Sequence, residues 1–222
     1  FCRGCSWSYA DAETDWDKVD AFEVATGPAG LPQPPNNEPG PNPFTVLALA
    51  WYDHLHASGF DITAVGSSDS HKAGVPSSIT DPGSILRAPI GEATTVVYAP
   101  ELSEQGIRAG VLAGHAYVKF FSPSGPDLRF TATPAGGGPA VMMGDALPAG
   151  GARFKARVFN LPASVFPRVL LVLRNGLIHR AFLVTGADQT FRFNSSLPGD
   201  YRVQLMRGSA FEAMTNPITL GG

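Results

Sequence analysis

The sequence lacks the features of a membrane protein and of a nucleic-acid-binding protein. No apolar run approaches the ~20 residues that a membrane-spanning helix requires. Cysteine is also scarce, with only two among the 222 residues. Basic residues do not exceed acidic ones, since the formal net charge is -3, which argues against a nucleic-acid partner. A hydrophobic fraction of 44% with 16% charged residues is typical of a globular protein with a substantial core.

The two cysteines, Cys2 and Cys5, form a C-x-x-C pattern at the start of the chain. Such a pair can be redox-active or half of a zinc site, but a zinc site would need two more thiolates or histidines nearby. A local disulfide between them, or two free thiols, is therefore the favoured interpretation. Because the chain opens on Phe1 rather than Met, we expect a processed or truncated portion of a longer protein.

The charge balance and the pattern of predicted secondary structure both change near residue 121, which predicts two domains. Residues 1–121 carry 14 acidic and 6 basic side chains, whereas residues 122–222 carry 5 acidic and 10 basic ones. In the first part, a predicted helix between two predicted strands indicates a βαβ unit. In the second part, short alternating strands and an Asn175-Gly176 hairpin signal predict an antiparallel, Ig-like β-sandwich. The fold class is thus α/β followed by all-β.

The helix of the first part begins at Asn42-Pro43, which supply the N-cap and the first helical position. Leu47, Trp51 and Leu55 recur every four residues and predict its buried stripe. His54 and His56 resemble an H-x-H metal motif, but residues two apart on a helix do not face each other. We therefore expect both histidines on the surface.

Residues 62–71 carry the strongest chemical signal in the chain. The apolar, β-branched first half predicts a buried strand, and the small polar second half predicts a turn at its carboxyl end. Asp69 and His71 are two positions apart, so on an extended segment their side chains point the same way. They would make half of a metal site, because an ion such as zinc usually takes three or four protein ligands. A hydrogen-bonded turn pair is the alternative.

A further carboxylate, Glu23, stands near the end of an earlier predicted strand. It could be a metal ligand, a hydrogen-bond acceptor that orients one, or an ordinary strand carboxylate. The acidic balance of residues 1–121 makes this part of the chain the better host for a metal ion.

In this order, the segments resemble the C-terminal part of a PHP-domain metallohydrolase, in the CehA/McbA-like branch of the polymerase and histidinol phosphatase superfamily. The segments that carry the resemblance are Phe22-Glu23-Val24, Trp51-Tyr52-Asp53, Val65-Gly66-Ser67-Ser68-Asp69-Ser70-His71, Thr95-Val96-Val97-Tyr98-Ala99 and the tail Ala213-Met214-Thr215-Asn216-Pro217-Ile218. In that family the final barrel motif reads S-D-S-H, and its Asp and His bind metal. The resemblance implies that Asp69 and His71 are metal ligands. Glu23 and Ser68 are candidate hydrogen-bond partners of these ligands, although Ala25-Thr26-Gly27 after Glu23 departs from the family pattern.

The resemblance also implies a fold, a cofactor and an activity. Residues 1–121 would be the C-terminal portion of a distorted β/α barrel of the PHP type. The intact parent would hold two or three divalent ions (zinc, manganese or iron) and would hydrolyse a phosphoester, ester, carbamate or amide bond in a small-molecule substrate. The family's H-x-H, Glu and His-Pro ligands, which come from earlier barrel motifs, are absent from this sequence. We therefore expect that the missing N-terminal portion of the same protein is a partner of this chain. We also expect that this chain alone has little activity and no tightly bound metal.

A non-catalytic protein is the alternative interpretation. In it, a degenerate barrel would support a β-sandwich that binds a ligand such as a polysaccharide or a protein. The presence or absence of the family's metal ligands upstream of Phe1 would distinguish the two interpretations. An appended sandwich and a Cys2–Cys5 disulfide favour a periplasmic or secreted protein, while a cytoplasmic location stays open.

Overall fold

The computed structural model describes residues 13–25, 30–33, 38–70, 89–164 and 167–221. In these ranges β-strands predominate, and neither of the two α-helices is long and apolar enough to cross a membrane. The elements before residue 121 are a 3-10 turn (Trp16–Lys18), β1 (Ala21–Ala25), β2 (Gly30–Gln33), β3 (Glu38–Pro41), α1 (Pro43–Ala57), β4 (Thr63–Gly66), β5 (Thr94–Val97), α2 (Glu104–Leu112) and β6 (Ala116–Lys119). The strands after it are β7 (Asp127–Pro134), β8 (Val141–Met142), β9 (Ala146–Leu147), β10 (Ala152–Phe159), β11 (Arg168–Arg174), β12 (Leu177–Val184), β13 (Gln189–Ser195), β14 (Gly199–Arg207), β15 (Ala210–Thr215) and β16 (Ile218–Leu220).

Strands β1 and β4 form a parallel pair in which Glu23 lies opposite Val65. A parallel pair needs a crossover connection, and here it contains α1. Leu49 and Tyr52 of α1 are buried in one cluster with Ala64 of β4. The structure therefore confirms the predicted βαβ unit.

Helix α1 begins where the sequence predicts it, because the Asn42 side chain accepts a hydrogen bond from the Phe44 N–H at 2.9 Å. The predicted buried stripe is wrong at Leu47, whose side chain is 53% exposed. The buried face instead runs through Thr45, Ala48, Leu49, Tyr52 and Leu55. Tyr52 lies on this buried face, where its hydroxyl finds a buried partner between β15 and β16 and donates to Asn216 Oδ1 at 2.8 Å.

His56 also departs from the surface position expected for it. Its side chain is only 10% exposed, and its Nε2 lies 2.9 Å from the Ile62 carbonyl oxygen. The imidazole packs edge-on against Tyr52, with ring centroids 4.5 Å apart. His56 therefore connects the end of α1 to the start of β4, which is a structural role.

Two larger sheets pack face to face and confirm the β-sandwich. The smaller has the strand order β13-β10-β7-β8, and the larger has the order β12-β11-β14-β15-β6-β5, with β16 joining β14 to β9. Phe130 and Phe154 from the smaller sheet are buried with Leu170, Tyr201 and Val203 from the larger. At the predicted hairpin between β11 and β12, Asn175 and Gly176 both have positive φ angles, 51° and 74°, as a tight two-residue turn requires.

Strands from both sides of residue 121 share the larger sheet. Strand β6 pairs with β15, where Val118 lies opposite Met214, and β5 pairs with β6. The sheets formed by the described residues are open rather than closed on themselves. The division into residues 1–121 and 122–222, the PHP-type barrel and the Ig-like strand topology therefore stay predictions.

Candidate metal centre

The parallel pairing of β1 and β4 brings Glu23 and Ser67 to the same edge of the sheet. Glu23 is the third residue of β1 and lies opposite Val65, and Ser67 directly follows β4. The Ser67 N–H donates to the Ala25 carbonyl at 2.9 Å, which extends the pairing past the end of β4. The Ser67 hydroxyl donates to Glu23 Oε1. Two polar side chains from different strands thus meet at the carboxyl edge, where α/β folds place their chemistry.

Asp69 lies two residues beyond this contact. Its φ angle of 47° is left-handed, a conformation that Asp tolerates better than most residues other than glycine. The Asp69 N–H donates to the Ser67 hydroxyl oxygen at 3.3 Å. Ser67 therefore joins the Glu23 carboxylate to the backbone turn that carries Asp69, and both carboxylates are exposed at one rim.

The strand end beneath this rim is held by Thr95 of the neighbouring β5. The Gly66 N–H donates to Thr95 Oγ1 at 2.9 Å, and Thr95 Oγ1 donates back to the Gly66 carbonyl at 2.9 Å. A side chain at position 66 has no room, because a Cβ there would lie 2.6 Å from Val118 Cγ1. Glycine at 66 and threonine at 95 therefore set where the chain leaves β4 for the candidate site.

We expect Thr95→Val to lower the free energy of unfolding by about 1–3 kcal/mol, because both polar groups of Gly66 lose their partner while the side-chain shape is kept. Urea unfolding followed by circular dichroism measures the change. Thr133→Val is the matched control, since Thr133 is also a strand threonine and has no hydrogen bond from its hydroxyl within the described residues. Equal unfolding free energies for Thr95→Val and the control would contradict the proposed anchoring.

The remaining predicted site residues are placed as follows. Ser68 is half-buried, and the hydroxyl seen to contact Glu23 is that of its neighbour Ser67. His71, Cys2 and Cys5 lie outside the described residues. The role of Ser67 could have been found from the sequence, because a Ser hydroxyl often accepts the N–H two residues ahead. The sequence carries no comparable signal for Thr95.

The described residues supply an incomplete donor set for a metal ion. Glu23 and Asp69 are hard oxygen ligands suited to a divalent cation. Within the described ranges, however, no group of three or more His, Cys, Asp or Glu side chains could hold one. Two carboxylates without further ligands fall short of the three or four that a transition-metal site usually needs. These residues fit part of a metal site and do not form a complete one.

Comparison with protein-family models gave no match, and comparison with curated proteins gave no significant match. The resemblance to PHP-domain metallohydrolases therefore rests on the sequence motifs alone.

Proposed function

We propose that this chain is part of a metal-dependent hydrolase of the PHP type. The observation that carries the proposal is the hydrogen-bonded series from Glu23 through Ser67 to the turn of Asp69. It lies at the carboxyl edge of a parallel strand pair, which is the part of an α/β fold where side chains of separate strands converge on a ligand. The S-D-S-H motif at this point supports the same conclusion.

In this proposal Asp69 and His71 hold metal, and the residues around them set their positions. Ser67 fixes the left-handed turn of Asp69 from one side, and the Glu23 carboxylate fixes the hydroxyl of Ser67 from the other. Ser68 has a hydroxyl that could orient His71. Bound zinc, manganese or iron would lower the pKa of a coordinated water and polarise the bond to be hydrolysed. The ligands missing here would come from the N-terminal portion of the same protein.

The test is to replace Asp69 by asparagine in the intact parent protein. We expect kcat/KM for bis(p-nitrophenyl) phosphate or p-nitrophenyl acetate to fall about 100-fold or more, with loss of bound metal measured by mass spectrometry. His71→Ala should behave in the same way. Both readouts are needed, because a loss of activity without a loss of metal would assign Asp69 a role other than ligation.

Asp61→Asn is the matched control, because Asp61 is also exposed and lies just before β4, at the opposite end of the same strand. It should keep the activity and the metal content of the unmodified protein. An Asp69→Asn variant that retains both would contradict the metal-ligand assignment and favour the non-catalytic alternative. That alternative is a binding module in which the sandwich binds the ligand. It is supported by an open pocket on the sandwich, which Arg153, His179 and Arg180 help to line.

A further inference from the structure

A pocket of about 610 Å³ opens at one end of the sandwich, far along the chain from the candidate metal centre. The start of β10, the middle of β12 and the end of β13 form its walls. Its polar side chains are Arg153, His179, Arg180, Asn194, Ser195 and Ser196. Its lining contains no Asp or Glu. The pocket therefore presents positive charge and hydrogen-bonding groups without an acid to neutralise them.

A β-bulge in β12 shapes one wall of this pocket. Along the pairing of β11 with β12, Val172 lies opposite Arg180 and Leu173 lies opposite Ile178, so His179 is an extra residue without a partner across the ladder. A bulge of this kind redirects the side chains beside it, and bulges are enriched next to functional sites. Here it places His179 and its neighbour Arg180 on the same pocket.

The His179 ring lies against two aromatic residues of the sandwich core, Tyr201 and Phe193. It packs edge-on to Tyr201, with ring centroids 5.6 Å apart, and lies 6.2 Å from Phe193. Its Nε2 is buried and has no hydrogen-bond partner among the described residues. Burial, and then the charges of Arg180 and Arg174, lower the pKa of this histidine. Unsatisfied buried polar atoms are uncommon in folded proteins, and an incoming ligand or water is one way to satisfy them.

The two pocket arginines are free of carboxylates within the described residues. Arg180 lines the pocket, and its guanidinium carbon lies 6.0 Å from the centre of the Phe193 ring. Arg153 is exposed and lies opposite Asn194 across the β10–β13 ladder, so a guanidinium and an amide stand side by side at the rim. An arginine that is not already paired with a carboxylate can bind a carboxylate or phosphate ligand through two parallel hydrogen bonds, and arginine is the preferred protein group for this contact.

The sheet beside the pocket is also basic. Lys155 lies directly opposite Arg192 on the outer face of β10 and β13, and Arg129 lies opposite Arg157, whose charge is paired with Asp188. Like charges directly opposite each other destabilise a sheet. Lys155 and Arg192 have no carboxylate partner among the described residues, so this face carries positive charge, which attracts anions and raises their local concentration.

We propose that this pocket binds a small organic anion that bears a carboxylate or phosphate group next to hydroxyl groups. Arg153 and Arg180 pair with the anionic group, and Asn194 and Ser196 offer hydrogen bonds to the neighbouring hydroxyls. The site is separate from the candidate metal centre, so its test requires neither metal nor hydrolytic activity.

The experiment is a titration of the full 222-residue chain at pH 7, followed through the His179 imidazole resonances by NMR. The probes are D-glucuronate, inorganic phosphate and D-glucose. We expect a saturable shift with at least one of the two anions and none with glucose. The anion that binds more tightly identifies the carboxylate or the phosphate as the preferred group. The absence of a shift with both anions at millimolar concentration would overturn the proposal.

Three variants separate a built site from general attraction to a basic surface. Arg153→Met and Arg180→Met should each weaken anion binding about tenfold, the effect expected for loss of one charge-assisted hydrogen-bonded contact. Arg192→Met removes an exposed positive charge from the same sheet outside the pocket and should leave the affinity within about twofold. If Arg192→Met weakens binding as much as the pocket variants do, the anion is held by diffuse charge and the proposal is wrong.

Discussion

Replacement of Asn216 by leucine is expected to lower the free energy of unfolding by about 3–5 kcal/mol, because it removes the partners of several buried polar groups at once. Asn216 is 1% exposed. Its Oδ1 accepts from the Tyr52 hydroxyl at 2.8 Å and from the Ala64 N–H at 2.7 Å. Its Nδ2 donates to the Ala116 carbonyl at 2.9 Å and to the Ala64 carbonyl at 3.3 Å. Leucine has a similar size but satisfies none of them.

The matched control for this prediction is Asn194→Ala, which truncates an exposed asparagine without a hydrogen bond from its side chain within the described residues. It should change the unfolding free energy by no more than about 0.5 kcal/mol. Urea titration at neutral pH, followed by circular dichroism, measures both variants. If Asn216→Leu is as stable as the control, the hydrogen bonds of Asn216 make no net contribution to the free energy of unfolding.

The Asn216 network also matters for the candidate site. It joins helix α1 through Tyr52, strand β4 through Ala64 and strand β6 through Ala116 to the segment after β15. Strand β4 leads directly into Ser67 and Asp69. The position of the chain at Ser67 and Asp69 therefore depends on a side chain near residue 222, which connects the βαβ unit to the larger sheet.

The parts of this architecture that the sequence predicts are those set by local chemistry. The start of α1 follows from Asn42 and Pro43, whose capping interactions span two residues. The hairpin at Asn175-Gly176 follows from the backbone conformations that this pair tolerates. Strand β4 and the turn that carries Asp69 follow from a β-branched run that ends in small polar residues. Each of these features depends on neighbours in the chain.

The parts that the sequence does not predict depend on contacts between distant residues. Asn216 bonds to residues 100 and 152 positions away, and nothing near it in the chain indicates those partners. The face of α1 that is buried includes Tyr52, which makes this contact, and leaves Leu47 exposed. The pairing of β6 with β15 likewise joins the two predicted domains in one sheet. Helical periodicity and strand alternation report neither long-range partners nor a bulge such as that at His179.

A second large effect is expected from Arg168→Met, which should destabilise the protein by about 3–5 kcal/mol. The Arg168 guanidinium makes two hydrogen bonds to the Glu212 carboxylate, at 2.6 Å and 2.9 Å. The Glu212 side chain is 2% exposed, so the variant would leave a buried carboxylate without its main partner. Arg207 compensates only in part, since its Nε lies 3.5 Å from Glu212 Oε1.

The decisive measurement is a comparison with the double variant Arg168→Met/Glu212→Leu. Removing both charges also removes the uncompensated carboxylate, so the double variant should be more stable than Arg168→Met alone. Arg207 Nε is buried without a hydrogen bond among the described residues and would lose the neighbouring carboxylate. We expect this cost to be the smaller one, because the Arg207 side chain is partly exposed and its guanidinium carbon lies 4.6 Å from the centre of the Phe121 ring. Arg157→Met, which breaks the exposed pair with Asp188, should have no measurable effect on unfolding. A double variant less stable than Arg168→Met would instead mean that Glu212 stabilises the three strands β11, β14 and β15 through contacts other than its pairing with Arg168.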